Sequence, residues 1–418
     1  MSNVSTIKLD DANNYAIIAP GQITYALKAD EKYLEKVIKE VEKQVKNYKI
    51  SSEDNDRVSL SLMPTYDCNL RCIYCYANGG KDKDILSESI AKKALNYVRN
   101  YNKAAKYLDL YLVGGGEPLL HFDLIKKIIS YADTLFDHVE INVVSNGTFS
   151  KEVCDWLIIR KANVRISYDV LGQDIQRKYE NNKSSKKDVI NNIKRLIENN
   201  INVLIQCIIT SYTVDKMKDI VDELLELKIS AVKFEPCLMT DVSRGTISLQ
   251  PNPIAFADSL LEVIEYIANN NFPILIDTGY FTKPTLGKYC GLGNGNFTVT
   301  PQGKITSCVE VSRSSDQYSD IIIFGKIEEN VEIDNKKLDF LESINYKNQH
   351  GGCSKCPYRL ICLGGCPMAN IWQNGLPLTK SKFTCQVEHA FLPRLLLKLI
   401  ENDKIINVIM ENPEKVER

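Results

Sequence analysis

The 418-residue sequence predicts an α/β protein organised around a parallel sheet, with a short N-terminal extension and a cysteine-rich C-terminal region. Three observations carry this reading. From Val58 onward six short apolar runs alternate with helical segments. The runs are VSLSLMPT, LDLYLVGGG, VEINVVSN, VRISYD, NVLIQCIIT and AVKFEPC; the helices fall near 87–103, 122–136, 151–160, 186–200 and 214–228, with another near 254–270. Strand-then-helix units in series imply parallel strands joined by right-handed crossovers, and strands buried on both faces need no clean polar alternation. Polar and glycine-rich residues collect at the carboxyl ends of the runs, where such sheets place their chemistry. After about residue 285 this rhythm stops. Six units fit an incomplete barrel or an open doubly wound sheet, and periodicity does not choose between them.

In chain order, residues 1–57 form the extension. TIKLDDANNYAIIAP and GQITYALKAD read as short strands around an Asn-Asn turn, leaving room for about two strands and a helix. The helix, from Glu31 to Tyr48, carries one apolar stripe: Tyr33, Leu34, Val37, Ile38, Val41 and Val45. SSEDNDR follows as a polar linker. Residues 58–285 hold the strand–helix units. Residues 286–390, rich in turns and cysteines, need a metal staple to hold so small a core. Residues 391–418 read as a helical tail. With 44% apolar and 25% charged residues the composition is that of an ordinary globular chain. Lys+Arg 52 against Asp+Glu 53 leaves a net charge of -1, so nothing favours a nucleic-acid partner. The apolar stretch FLPRLLLKLI is cut by Arg394 and Lys398, short of the about 20 residues a membrane span requires. MSNVSTIKLDD lacks a basic region followed by an apolar one, so no secretory signal is read and a cytoplasmic location is expected.

Thirteen cysteines in such a chain favour metal binding or catalysis over a disulfide framework. Cys154, Cys207 and Cys237 stand singly in apolar surroundings and read as small buried hydrophobes. Cys68, Cys72 and Cys75 lie in CNLRCIYC, directly after the first run, with spacing C-x3-C-x2-C. Closely spaced thiolates wrap one iron–sulfur cluster, and three ligands on a four-iron cubane leave one iron open. Zinc, the competing reading, needs a fourth ligand for a closed site. No His or Cys follows until His121, which reads as a helix start.

These residues resemble the radical S-adenosylmethionine (SAM) superfamily, whose signature is this loop after the first strand of a partial (β/α)6 TIM-type barrel. The resemblance implies that the open iron is chelated by the amino and carboxylate groups of SAM. It places Tyr74 near the adenine. Gly115, Gly116 and Glu117 of GGGEP match the methionine-binding element. Two glycines allow close backbone approach, and the carboxylate accepts from an ammonium group. Ser145 and Asn146 of VSNGT, Ser167 and Asp169 of ISYD, and Arg177 are the remaining implied SAM contacts, Arg177 for the carboxylate.

The second region holds Cys290 and Cys308 in CGLGNGNFTVTPQGKITSC, then Cys353, Cys356, Cys362 and Cys366 in CSKCPYRLICLGGC, and Cys385. It resembles the SPASM domain, a seven-cysteine extension with two auxiliary clusters; a zinc ribbon with one site a ligand short is the alternative. The resemblance assigns Cys353, Cys356, Cys362 and Cys385 to one cluster and Cys290, Cys308 and Cys366 to the other. That second set has either an open iron or a fourth ligand, for which Cys237 is the best-placed reserve. Three 4Fe–4S clusters and SAM are thus the implied cofactors.

SPASM enzymes act mostly on peptides or proteins, using a 5′-deoxyadenosyl radical to abstract hydrogen. Two subclasses fit. Ribosomal-peptide maturases cross-link a residue of a precursor peptide, and the extension is then a leader-binding module or a barrel cap. Anaerobic sulfatase-maturating enzymes oxidise a Cys or Ser to formylglycine, but carry an Asp base directly after the cysteine matching Cys308. Here CVEV places Val309 there and Glu310 next. The expectation is a peptide cross-linking maturase, supplied with electrons by an external one-electron reductant. Glu310 and Asp169 are the polar groups expected near the substrate. An iron–sulfur or zinc protein that binds or carries electrons without SAM turnover is the rival of another class.

Overall fold

The computed structural model describes residues 3–409 apart from residues 47, 49–55, 241–242, 282–283, 294–296, 346 and 349–351. It opens with a three-stranded antiparallel sheet in the order β1 (Ser5–Lys8), β2 (Tyr15–Ala19), β3 (Gln22–Ala26). The sequence leaves room for about two strands, and the structure has three. TIK and YAIIA are separate strands, because Asn13 takes a left-handed φ of 59° and reverses the chain between them. Helix α1 (Glu31–Val45) begins where the Asp30 side chain accepts from the Tyr33 N–H. It packs Val41 and Val45 on Ile17 and Ala19 in a small core of its own. Residues 51–55 of the expected linker lie outside the described residues. Arg359 donates to the Val4 carbonyl at 2.8 Å, tying the β1 side of this sheet to the cysteine-rich region.

The main body alternates β4 (Arg57–Leu62), α2 (Glu88–Tyr101), β5 (Tyr107–Leu112), α3 (Phe122–Ala132), β6 (His138–Ser145), α4 (Lys151–Ile159) and β7 (Asn163–Ser167). It continues through α5 (Gln173–Gln176), α6 (Lys186–Glu198), β8 (Val203–Ile209), α7 (Met217–Glu226), β9 (Ala231–Pro236), α8 (Pro253–Asn270) and β10 (Leu275–Asp277). Strands β4 to β10 pair in parallel and in strict chain order. A doubly wound sheet reverses its strand order at a switch point. This one does not, so the choice falls to the partial barrel. The seventh strand, β10, is three residues long and escaped the sequence pattern.

The barrel strands are not buried equally on both faces, as the sequence reading supposed. Along β5 and β8 every second residue is buried and the others are half-open. Leu60, Leu108, Leu110, Ile166 and Ile205 are fully buried on the outer, helix-covered face. Each such side chain contributes about 1.5–3 kcal/mol. The inner face is more polar and lines a lumen.

On the far side of β4 the sheet continues through β11 (Thr298–Val299), β12 (Lys304–Thr306), β13 (Ile323–Ile327) and β14 (Val331–Ile333), with α9 (Ser319–Ile322) before β13. Strand β11 lies parallel to β4, and the rest are antiparallel. The cysteine-rich region is therefore hydrogen-bonded to the first barrel strand. It ends in α10 (Asn335–Ser343), α11 (Arg359–Cys362), α12 (Pro367–Asn374) and α13 (Lys382–Glu401). The expected boundary between residues 390 and 391 falls inside α13, which joins cysteine region and tail in one helix; residues 410–418 lie outside the described residues. Among the described residues no helix is long and apolar enough to cross a membrane.

Candidate functional site

The loop after β4 carries the first three cysteines, and its ends are pinned together. Tyr66 N–H and the Thr65 hydroxyl both donate to the Asp84 carbonyl, at 3.0 and 2.9 Å. Within it Cys68 Sγ accepts from the Leu70 N–H at 3.5 Å and Cys75 Sγ from the Gly79 N–H at 3.3 Å. Burial pushes the Cys68 thiol up to about 12, helped by Glu117, Cys72 and Cys75; burial likewise lifts Cys72 to about 11. Three clustered sulfurs whose charged forms disfavour one another form a donor set that a bound cationic centre would stabilise. Among the described residues no three His, Cys, Asp or Glu side chains converge on a single-ion point. A cluster spreads its ligands over several irons. Arg244, which no sequence signal marked, clamps the loop: it donates to the Gly79 carbonyl at 2.8 Å, the Asn78 side chain at 3.1 Å and the Cys72 carbonyl at 3.2 Å.

Beside this loop the structure gathers Glu117, Ser145 and Asn146. Glu117 is 3% exposed. One carboxylate oxygen accepts from the Ser145 hydroxyl (2.9 Å) and the Leu119 N–H (3.1 Å), the other from the Asn146 N–H (2.6 Å). Burial raises its pKa against these bonds. Asn146 in turn donates to Asn69 at 2.8 Å and reaches Cys68 Sγ at 3.9 Å, so the three residues buttress the cysteine loop. Gly115 and Gly116 serve the same contact. A Cβ on Gly115 would meet the Tyr66 ring at 2.6 Å, and one on Gly116 the Asp67 carbonyl oxygen at 2.0 Å. Their close approach is to the chain's own loop.

Tyr74, Asp169 and Arg177 form a second group. Tyr74 donates to Asp169 at 2.5 Å, and Arg177 donates to the Tyr74 oxygen at 2.7 Å. Asp169 is fully buried and also accepts from Gln176 (2.8 Å) and the Ile208 N–H (3.0 Å). In this structure Asp169, expected near SAM or the substrate, holds Tyr74 and Gln176 on one oxygen and the Ile208 N–H on the other, so it positions Tyr74. Ser167 ends β7, half-buried on the lumen side. Arg177 is 7% exposed, lies in the field of Cys72, and leaves its Nε without a partner. A buried guanidinium with an orphaned donor beside three thiols fits a ligand carboxylate at that point.

Tyr76 links this site to the cysteine-rich region. Its hydroxyl donates to the Gly114 carbonyl at 3.1 Å, and after burial the groups acting on it are Cys75, Glu310, Cys308 and Glu235. The lumen therefore opens onto both regions. Cys290, Cys308 and Cys366 act on one another electrostatically, and Glu310 acts on all three. Glu310 accepts from the Trp372 indole N–H at 2.8 Å, which ties the Cys308 turn to the helix that starts after Cys366. Burial pushes its carboxyl up against that bond. Cys237 does not join these three: its Sγ lies 3.4 Å from Met239 Sδ, and only Asp169 acts on it.

Cys353, Cys356, Cys362 and Cys385 line one cavity of about 220 Å3. Glu388 and His389 share it. His389 Nε2 is 3.9 Å from Cys356 Sγ, and Glu388 has one oxygen buried without a partner. Burial lifts Glu388 to about 8. Both were missed in the sequence, although Cys385, Glu388 and His389 fall three and four apart on one helix face.

Residues 62–227 match the model of the Radical SAM superfamily. An uncharacterized protein of Methanocaldococcus jannaschii is 31% identical over 254 residues, 60% of this chain and 84% of that protein. The sporulation killing factor maturation protein SkfB of Bacillus subtilis is 29% identical over 167 residues, 40% of this chain and 39% of its own length. The mycofactocin maturase MftC of Mycolicibacterium smegmatis is 24% identical over 339 residues, 77% of this chain and 80% of that one. Two solved structures share the fold. Native anSMEcpe with bound AdoMet superposes with a TM-score of 0.68 at 19% identity, covering 82% of this chain and 98% of that one. Streptococcus suis SuiB bound to precursor peptide SuiA gives 0.59 at 13% identity, covering 92% and 99%. The chain belongs to the radical SAM superfamily and is an enzyme whose cofactors are S-adenosylmethionine and an iron–sulfur cluster.

Proposed function

We propose that this enzyme is a peptide maturase that abstracts hydrogen from a residue of a precursor peptide and closes an intramolecular cross-link. One observation carries the reading: the Tyr66 hydroxyl, next to the first cysteine loop, donates to the Ser312 carbonyl at 2.8 Å, and β11 pairs with β4, so the two cysteine regions meet at the barrel mouth. The relatives named as maturases, and the SuiB structure that contains a precursor peptide, support a peptide substrate. Cys68, Cys72 and Cys75 would hold the SAM-binding cluster, with Arg177 toward the SAM carboxylate. Cys353, Cys356, Cys362 and Cys385 would hold one auxiliary cluster and Cys290, Cys308 and Cys366 another. When bound, these groups supply the 5′-deoxyadenosyl radical and an exit for electrons.

The chain's own residues do the rest. Glu117, Ser145 and Asn146 fix the cysteine loop against the barrel. Asp169 and Arg177 hold the Tyr74 ring. Cross-linking with loss of two hydrogens leaves one proton to be taken up. Glu310, raised by burial and held by Trp372, is the acceptor we assign. The outer edge of β3 is unpaired among the described residues, which suits a leader peptide added as a strand.

Anaerobically reconstituted protein given reductant, SAM and the short peptides encoded beside its gene tests the proposal. A peptide about 2 Da lighter together with 5′-deoxyadenosine is the expected product. A loss of about 18 Da from a Cys residue would establish the formylglycine reaction instead. Absence of 5′-deoxyadenosine with reductant and peptide present would favour a binding or electron-carrying protein.

A further inference from the structure

Among the described residues the lumen contains a cation with no partner. On β7, β8 and β9 the half-open positions facing inward include Arg165, Gln206, Lys233 and Glu235. Register places Gln206 beside Lys233, and Lys233 beside Asp277 of β10. Glu235 is fully committed. One of its oxygens lies 2.7 Å from Lys233 Nζ, and the other accepts from Gln206 at 2.6 Å. Lys233 also lies 4.0 Å from Asp277. Arg165 acts electrostatically on both Lys233 and Glu235, so it projects into the same space. Yet among the described residues its side chain makes no ion pair and no hydrogen bond.

The floor of the lumen shows that unpaired charge is not its general condition. There Arg57 pairs with Glu140 at 3.1 Å and with Asp109. Asn163 donates to Glu140 at 2.8 Å and to Asn142 at 3.1 Å. Both oxygens of Glu140 are thus taken, as are both of Glu235. Neither of these two carboxylates has an oxygen left for Arg165. A guanidinium carries five N–H donors in a planar fork. Arg165 is half-buried and no described protein acceptor meets its donors, so they stand open to a ligand in the lumen. Its best-matched partner is a carboxylate bound through two parallel hydrogen bonds.

The geometry points to Arg165 as the anchor for a substrate carboxylate inside the barrel, flanked by the Lys233–Glu235 pair. This deepens the peptide-maturase reading and rests on it: the carboxylate is that of an Asp or Glu side chain, or the C-terminus of the peptide. The site is separate from Arg177, the residue placed toward SAM.

The test uses reconstituted holoenzyme with saturating SAM and three pools of capped pentapeptides, read by thermal stabilisation. One pool carries Asp or Glu at the centre with an amidated end. The second carries Asn or Gln there, and the third has a free C-terminal carboxylate as its sole acid. At least one acidic pool should raise the melting temperature while the amide pool does not, and the responding pool names the source. Arg165→Gln should weaken the response about tenfold or more in peptide concentration, and Arg165→Lys should keep part of it. Without peptide, Arg165→Gln should melt no lower than the parent, since it removes an unbonded charge, and its affinity for SAM should be unchanged. Equal responses to acidic and amide pools, an undiminished response in Arg165→Gln, a lower unliganded melting temperature or weakened SAM binding would each overturn the assignment. Peptide-independent 5′-deoxyadenosine formation, measured alongside, reports on the radical reading separately: its absence condemns that reading and leaves the carboxylate measurement standing.

Discussion

Replacing Gly116 by Ala tests how the cysteine loop is held. The added methyl group would meet the Asp67 carbonyl oxygen at 2.0 Å and the Tyr66 and Asp67 carbonyl carbons at 2.6 and 2.7 Å. All three are backbone atoms, so no side chain can swing aside. Ordinary contact begins near 3.4 Å, and the two segments must part by more than about 1 Å. Overpacking of this kind costs about 1–3 kcal/mol. The movement also breaks the 2.8 Å hydrogen bond from the Glu117 N–H to that same carbonyl, adding about 0.5–1.5 kcal/mol. The expected destabilisation is about 2–4 kcal/mol. It passes directly to the ligands, because the Asp67 side chain accepts the Cys68 N–H at 2.9 Å. The assay is a urea midpoint together with the iron-to-protein ratio after anaerobic reconstitution. Gly116→Ala should lower both. Gly287→Ala, whose Cβ would make only 3.4 and 3.6 Å contacts with Thr285, should change neither. A Gly116→Ala protein with parental midpoint and iron content would refute the reasoning.

Glu117→Gln keeps the shape but presents an amide to three donors, so either the Asn146 or the Leu119 N–H loses its acceptor. We expect about 1–3 kcal/mol of destabilisation and faster amide hydrogen exchange across residues 114–121 and 142–150. Trp372→Phe removes the bond that lowers the Glu310 pKa. Iron content should hold, while the acidic limb of the pH profile for product formation moves to higher pH. An unshifted profile would remove Glu310 from the role of base. Glu388 has a folded value of about 8 against an ordinary 4.5, so the folded state holds its proton more tightly. Its stabilising effect in cluster-free protein is complete below pH 4.5 and is lost as pH rises through about 8. Glu388→Gln should flatten that decline in urea midpoints measured between about pH 5 and pH 8.

The strand runs, the helices between them and the three cysteine sets were legible because each is local. A period, a spacing or a dipeptide carries it. What escaped depends on contacts distant in sequence. Thr298–Val299 is too short to read as a strand, and pairing with Ser61 and Leu62 makes it one. The lumen charges at Arg165, Lys233 and Glu235 were hidden by the assumption that parallel strands are apolar on both faces. The alternation in VRIS, LIQC and KFEP was present all along. The family resemblance implies Asp169 as a SAM contact from its place in ISYD alone. Only the fold shows that Tyr74, Gln176 and the Ile208 N–H converge on it. Arg244 clamps the cysteine loop from a segment with no motif of its own.

The account turns on Cys68, Cys72 and Cys75 presenting an iron that SAM can reach. Electron paramagnetic resonance of the anaerobically reduced protein, recorded with and without SAM, addresses this most directly. One cluster signal should change on adding SAM, and that response should vanish in Cys72→Ala while signals from the other cysteine sets persist. A spectrum indifferent to SAM, or a colourless protein that carries zinc, would contradict it.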